Sequence, residues 1–316
     1  MRLRAAGMWI SFAVLVIVNL LWAIQYPAYK IASERMETAA LNFWTLFFAI
    51  VMLVPLWLRE RRVRNSALRG LRAKSIREFL LLGFCGIIPP SVLLAFGILR
   101  SSAANAALLS LTVPIFMTGL ACVMLRERIT APRVLSLLLG LSGTIVLSSK
   151  DLARASLNGH VLTGNFVILL AMVGSSFYNT YSKNLLSRYS ELEVLIYSYA
   201  TATIGCALIS MVLEKRPFYI IAGYPLETWV AIITLATLPW GVAMVLWMWV
   251  LKRLEVGQVS SSIYLLPFFG VVLSVITVHE RVALPQILGG AMVLSATASL
   301  TLYEARHLNQ TAESEP

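Results

Sequence analysis

Charge is scarce in this chain, and negative charge scarcest. Asp, Glu, Lys and Arg supply 13% of its 316 residues, against about a quarter in soluble globular proteins. Ten stretches contain none of the four: 8–29, 38–58, 79–99, 101–125, 134–149, 161–182, 194–213, 228–251, 256–278 and 282–303. Their lack of any carboxylate leaves no proton relay of the kind that pumps and antiporters build from buried Asp and Glu. Histidine is equally thin. His160, His279 and His307 fall outside all ten stretches, which leaves these without a histidine metal cluster or general base. The three cysteines, Cys85, Cys122 and Cys206, sit in apolar runs with no CxxC pair and read as small apolar side chains, not as redox or metal ligands. No GxSxG, HExxH, GxGxxG or Walker A pattern occurs, and Gly140-Leu141-Ser142-Gly143 falls short of the first; it reads as a close helix contact. Together these absences point away from an enzyme, from ATP coupling and from any cofactor.

What is present is apolar surface. Hydrophobic residues make up 59% of the chain and the mean hydropathy is +0.79, more than a soluble fold can bury, so lipid is the expected solvent. Most of the ten stretches reach the roughly 17–25 residues a helix needs to cross about 30 Å of hydrocarbon. The shortest, 134–149, becomes adequate if Ala131 and Pro132 open its helix, where the missing proline N–H costs nothing. Closed barrels are excluded, because barrel strands alternate apolar and polar residues over about ten positions. The first stretch follows Arg2 and Arg4 but is too long for the apolar core of a signal peptide, and is expected to stay as a helix.

Basic residues orient the spans. With the first residues on the cytoplasmic side, 18 of the 26 Lys and Arg fall inside, eight of them between Arg59 and Arg77. This predicts both ends of the chain inside. It also assigns the net charge of +11 to anionic headgroups instead of nucleic acid.

One segment is written twice. Pro114, Glu127-Arg128 and Pro132 recur as Pro267, Glu280-Arg281 and Pro285, each 153 residues on. Five spans precede the midpoint and five follow, and duplicating an odd number of spans inverts the second copy. Tyr26, Tyr29 and Lys30 in the first span echo Tyr178, Tyr181 and Lys183 in the sixth. The predicted fold is an all-α polytopic membrane protein of ten transmembrane helices: a first five-helix repeat over 1–150, an inverted second over 151–304, and a cytoplasmic tail over 305–316. Inverted repeats place a solute site near the midplane, between the halves.

These residues resemble the EamA-type family of the drug/metabolite transporter superfamily. The doubled Pro…Glu-Arg pattern carries the likeness. Leu21-Trp22 with Lys30, and Ser101-Ser102-Ala103-Ala104-Asn105-Ala106 before the fourth span, fit it as well. The resemblance covers roughly residues 8–303 and implies ten helices in two repeats, with export or exchange of small organic solutes. Asn42-Phe43-Trp44-Thr45 stands where members often carry an arginine, so a substrate role for that arginine does not transfer. The membrane glutamate of small multidrug exporters finds no match either.

Polar and aromatic side chains inside the spans are the candidates for solute contact: Gln25, Tyr26, Tyr29 and Lys30 in the first, Asn105 in the fourth, Tyr178 and Asn179 in the sixth, Trp240 in the eighth, Gln258 and Tyr264 in the ninth. An amide turned to lipid would be costly, which favours an inward face for Asn105, Asn179 and Gln258. Lys30 can instead snorkel to the surface. Pro114 and Pro267 occupy matching positions and are the expected hinges. The function expected is a multi-pass carrier of the plasma membrane (the bacterial inner membrane), a monomer or homodimer with a small-molecule solute and membrane lipids as its partners. Amino acids, related metabolites or drugs are the solutes in view, moved by alternating access. A nucleotide-sugar or phosphorylated-metabolite exchanger is the alternative within transport, and a membrane-embedded enzyme or scaffold the alternative outside it.

Overall fold

A backbone without water must close its hydrogen bonds within each segment, and this chain does so with helices. The structure, a computed structural model, describes residues 2–63, 73–101, 106, 109–147, 159–278 and 284–313, and no strand occurs among them. The helices are α1 (Arg2–Ala23), α2 (Gln25–Ser33), α3 (Thr38–Val63), α4 (Ala73–Leu81), α5 (Leu94–Arg100), α6 (Val113–Leu125) and α7 (Ala131–Leu147). The second half contributes α8 (Gly159–Leu185), α9 (Glu191–Leu213), α10 (Leu226–Thr237), α11 (Met244–Arg253), α12 (Val256–Ser260), α13 (Leu265–Val278) and α14 (Leu284–Glu313).

Among the described residues, six helical stretches are long and apolar enough to cross a membrane: Trp9–Ser33, Thr38–Val63, Ser75–Ile98, Val161–Leu185, Glu191–Leu213 and Leu226–Arg253. Shorter apolar helices, Val113–Leu125, Ala131–Val146 and Ile287–Tyr303, fall in the fourth, fifth and tenth expected windows. The ninth window is divided among α12, a 3₁₀ turn at Ser261–Tyr264, and α13.

Several spans are broken rather than straight, and proline explains where. Pro27 offers no N–H to the carbonyl four residues back, and the first span breaks at Ile24 between α1 and α2. Pro89 and Pro90 leave the third span with missing donors, and it widens into π turns over Leu82–Ile87 and Pro89–Leu93. Pro239 accompanies the same widening at Leu238–Ala243 in the eighth span. Pro114, an expected hinge, follows a break near the middle of the window 101–125. It sits in the first turn of α6, directly after a break at residues 111–112, where its lack of an N–H is harmless. Pro267 likewise stands in the first turn of α13, after the 3₁₀ turn.

Helix α9 lies along α3, α14 along α7, and α10 against α2 and α3. Helix α8 packs on α6, α5 and the π segments of the third span, while α1 packs on α13, α11 and the π segment of the eighth. Each of these pairs joins a helix before residue 150 to one after residue 158. Small residues let the backbones approach. A Cβ on Gly86 would come within 2.9 Å of the Tyr178 Cβ, and one on Gly143 within 2.9 Å of the Gly289 carbonyl oxygen. The large side chains held in the interior include Trp247, Tyr199 and Tyr264. The periphery presents Leu135, Ile204, Val212 and Leu213 outward, a surface fit for acyl chains and costly in water.

Candidate functional site

Aromatic rings, amides and hydroxyls from both halves meet inside the bundle. The Tyr29 hydroxyl on α2 donates to Asn42 Oδ1 on α3 at 3.1 Å and accepts from Trp240 Nε1 at 3.2 Å. The Asn42 amide in turn donates to the Thr38 carbonyl at 2.8 Å, within its own helix. Trp240 sits in the π segment of the eighth span, and its carbonyl accepts the Tyr199 hydroxyl from α9 at 2.8 Å. The Tyr199 and Trp240 rings also meet edge to face, with centroids 5.7 Å apart. One residue before Tyr199, the Ser198 hydroxyl lies 3.3 Å from the Tyr178 hydroxyl of α8. On the next position of α8, Asn179 Oδ1 accepts from Trp247 Nε1 at 2.7 Å, and the Trp247 ring lies 5.0 Å from that of Trp22 on α1.

The result is a track of amphipathic rings with their polar atoms engaged by one another. No acidic or basic side chain belongs to the track itself. An ion placed among these side chains would meet no counter-ion from the track.

The expected residues divide accordingly. Tyr29, Tyr178, Asn179 and Trp240 are brought into the track, with Gln25 half-buried at the start of α2. Lys30 is exposed. Gln258 is used locally: its Oε1 accepts the Glu255 N–H at 3.0 Å, capping α12. Tyr264 lies elsewhere, packed where Gly140 leaves room, with its hydroxyl donating to the Leu111 carbonyl at 3.2 Å. Asn105 and the side chain of Tyr26 lie outside the described residues. Asn42, Ser198 and Tyr199 were not singled out as contacts. Asn42 carried the same signal as Asn179, an amide in an apolar run. Ser198 and Tyr199 carried none, because only the pairing of α9 with its neighbours defines their role.

One end of the bundle is tied by charge. The Lys183 ammonium, near the end of α8, donates to the carbonyls of Leu251, Lys252 and Leu254 at 2.7, 3.1 and 2.8 Å. Glu127 accepts the Val256 and Gly257 N–H groups at 2.7 and 2.9 Å. Arg133 pairs with Glu255, and Arg188 with Glu78 at 2.9 Å. The Glu78 carboxylate accepting from Arg188 pushes that guanidinium's pKa up, which keeps Arg188 charged. Arg61–Glu193 and Lys252–Glu191 contacts lie at 3.9 and 3.2 Å. Among the described residues no group of three or more His, Cys, Asp or Glu is arranged to hold a metal ion.

Comparison with known proteins agrees with a transport fold. The model of the EamA-like transporter family matches residues 8–149 and again 162–302. A protein of Streptantibioticus cattleyicolor described as a "Probable terminal-alkyne amino-acid exporter" is 28% identical over 305 residues, covering 95% of each chain. The uncharacterized transporter YoaV of Bacillus subtilis is 21% identical over 277 residues, covering 87% of this chain and 91% of its own. A protein of known crystal structure superposes with a TM-score of 0.77 at 20% identity, over 93% of this chain and 98% of that one. At that identity the likeness is one of fold.

Proposed function

The chain belongs to the EamA-like transporter family, and on that premise we propose that it is a ten-helix carrier of small amphipathic organic solutes, built as two inverted five-helix repeats with both ends inside. It works by alternating access in the plasma membrane, in the direction of export or exchange. Amino acids and related metabolites are the solute class favoured.

The observation that carries the reading is the paired packing. α8 against α5, α6 and the third span corresponds, at the 153-residue offset, to α1 against α11, α13 and the eighth span. The π segments at Pro89–Leu93 and Leu238–Ala243 fall at overlapping places under the same offset. Two such halves around a shared interior are the geometry in which one half rocks against the other. The solute class is supported by the track's ring faces and dipoles, and by the amino-acid exporter among the relatives. A phosphorylated solute is disfavoured: the nearest basic group on α8, Lys183, already spends its ammonium on three carbonyls.

Purified protein in proteoliposomes tests this. Radiolabelled apolar amino acids should exchange across the membrane faster than in protein-free vesicles, and a nucleotide sugar should not. Exchange of the nucleotide sugar alone, or a covalent product with no flux, would overturn the reading.

A further inference from the structure

We propose that the loop between α9 and α10 is a lipid anchor, seated among the acyl chains of the leaflet on its side of the membrane by Tyr219, Ile220, Ile221 and Leu226.

Its level in the membrane follows from the helices that carry it. α9 starts where Glu193 meets Arg61, near the end of α3, and finishes where Glu214 caps Ala39 and Ala40 at the start of α3. The loop therefore lies on the face opposite Arg59, Arg61 and Arg62. The 23 residues of α9 rise about 34 Å, against about 30 Å of hydrocarbon. Its last two residues, Val212 and Leu213, are 78% and 74% exposed, so the lipid-facing surface reaches the start of the loop. It continues into it. Residues 217–222 read Pro-Phe-Tyr-Ile-Ile-Ala, and Tyr219, Ile220, Ile221 and Leu226 are between 37% and 77% exposed. Four large apolar side chains exposed in one short loop are costly in water, and this patch is continuous with the belt that faces acyl chains.

The backbone agrees. A loop that enters lipid must place its polar backbone groups within the protein. The Arg216 N–H donates to Glu37 Oε1 at 3.1 Å, and the Phe218 N–H to Ser210 Oγ at 3.0 Å. The Ile220 and Ile221 N–H groups turn back to the Pro217 and Tyr219 carbonyls at 2.9 and 3.2 Å. Pro217 has no N–H to place, and the Phe218 carbonyl accepts Trp44 Nε1 at 3.0 Å. Behind the apolar tip, the Phe218 ring lies 4.1 Å from that of Phe43, and Trp229 meets Trp44 and Tyr224 edge to face. Tryptophan and tyrosine settle at the level of the headgroups. The Arg216 guanidinium lies 5.8 Å from the centre of the Tyr224 ring, with Lys215 exposed beside it, a placement that suits headgroup phosphates.

A neighbouring loop on the same face supplies the contrast. Residues 34–37 touch the anchor through Glu37, and there Glu34, Arg35 and Glu37 are exposed while Met36 is buried. One loop is built for water and the other for lipid. Seating the second in the leaflet holds the start of α3, and with it Asn42 beside Tyr29.

Ile221→Cys, in a background lacking Cys85, Cys122 and Cys206, accepts an environment-sensitive fluorophore in proteoliposomes of phosphatidylethanolamine and phosphatidylglycerol. Glu34→Cys in the same background gives the aqueous reference. The label at 221 should emit further to the blue than the label at 34, and should lose emission to phospholipid carrying a nitroxide on its acyl chain. Iodide on both sides of the membrane should quench the label at 34 and spare the label at 221. Equal iodide quenching at the two positions would place the loop in water and overturn the proposal. Shielding of 221 from iodide and nitroxide alike would mean that a second copy of the chain covers the patch, which overturns it too. Ala222→Cys gives the same reading at the tip if the Ile221 variant does not fold.

Discussion

Buried side chains of similar chemistry differ here in what they are free to do. Asn179 and Trp247 are both closed off, and Trp247 is fully buried; the Asn179 amide donates to the Ser175 carbonyl at 2.8 Å, while the Trp247 indole N–H relies on Asn179 Oδ1. Asn179→Leu would orphan the indole N–H, and an unsatisfied buried donor costs about 1–3 kcal/mol. A lowered thermal midpoint in detergent is the expected result. Tyr29 is half-buried and holds two partners at 3.1 and 3.2 Å, bonds long enough to be exchanged with a solute. Tyr29→Phe should therefore lower the thermal midpoint less than Asn179→Leu does and raise the KM for exchange about fivefold, the equivalent of one ordinary hydrogen bond. A shared fall in stability would make Tyr29 a packing residue. Residue type alone separated these roles poorly. Gln258 and Asn179 were indistinguishable as amides in apolar spans, yet Gln258 falls at a helix start and caps it, while Asn179 falls mid-helix and faces Trp247.

At the scale of elements, the apolar windows were legible because lipid leaves the backbone one economical answer. Among the described residues every window contains helix, with turns at 111–112 inside the fourth. The breaks within them were legible only as prolines. Pro55 lies inside an unbroken α3, whereas Pro89, Pro90 and Pro239 accompany π turns, and the difference lies in neighbours that no local pattern reports. The widened turn at Leu238–Ala243 places the Trp240 carbonyl for Tyr199 and its indole for Tyr29. Pro239→Ala would restore an N–H and let the turn tighten towards α-helix. Exchange should fall several-fold, with protein yield and thermal midpoint kept or improved. Unaltered exchange would mean that the widened turn serves packing alone. Gly86 makes the complementary case in the third span. A Cβ there meets the Tyr178 Cβ at 2.9 Å, so Gly86→Val should separate α8 from the third span and cost about 1–3 kcal/mol by overpacking. That loss is read as a lower thermal midpoint.

Across the whole molecule, the duplicated segment marked a boundary near residue 150, and that boundary divides sequence more than it divides structure. The principal pairs, α3 with α9, α7 with α14, α8 with α5 and α6, and α1 with α13 and α11, each cross it. The segment 151–316 alone would present to lipid the faces that bury Tyr199, Trp247 and Tyr178 with their hydrogen bonds, and an unpaired polar group in hydrocarbon costs several kcal/mol. It would also leave Glu214 at the end of α9 without the Ala39 and Ala40 N–H groups that it caps at the start of α3. Segments 1–150 and 151–316, expressed separately, should therefore fail to accumulate in the membrane. Expressed together from two transcripts, they should copurify through a tag on either one and restore exchange, since the residues named in the track all lie away from the cut in sequence. Stable accumulation of a single segment, with no gain from its partner, would make the repeats independent domains and would require the interior to be satisfied within each half.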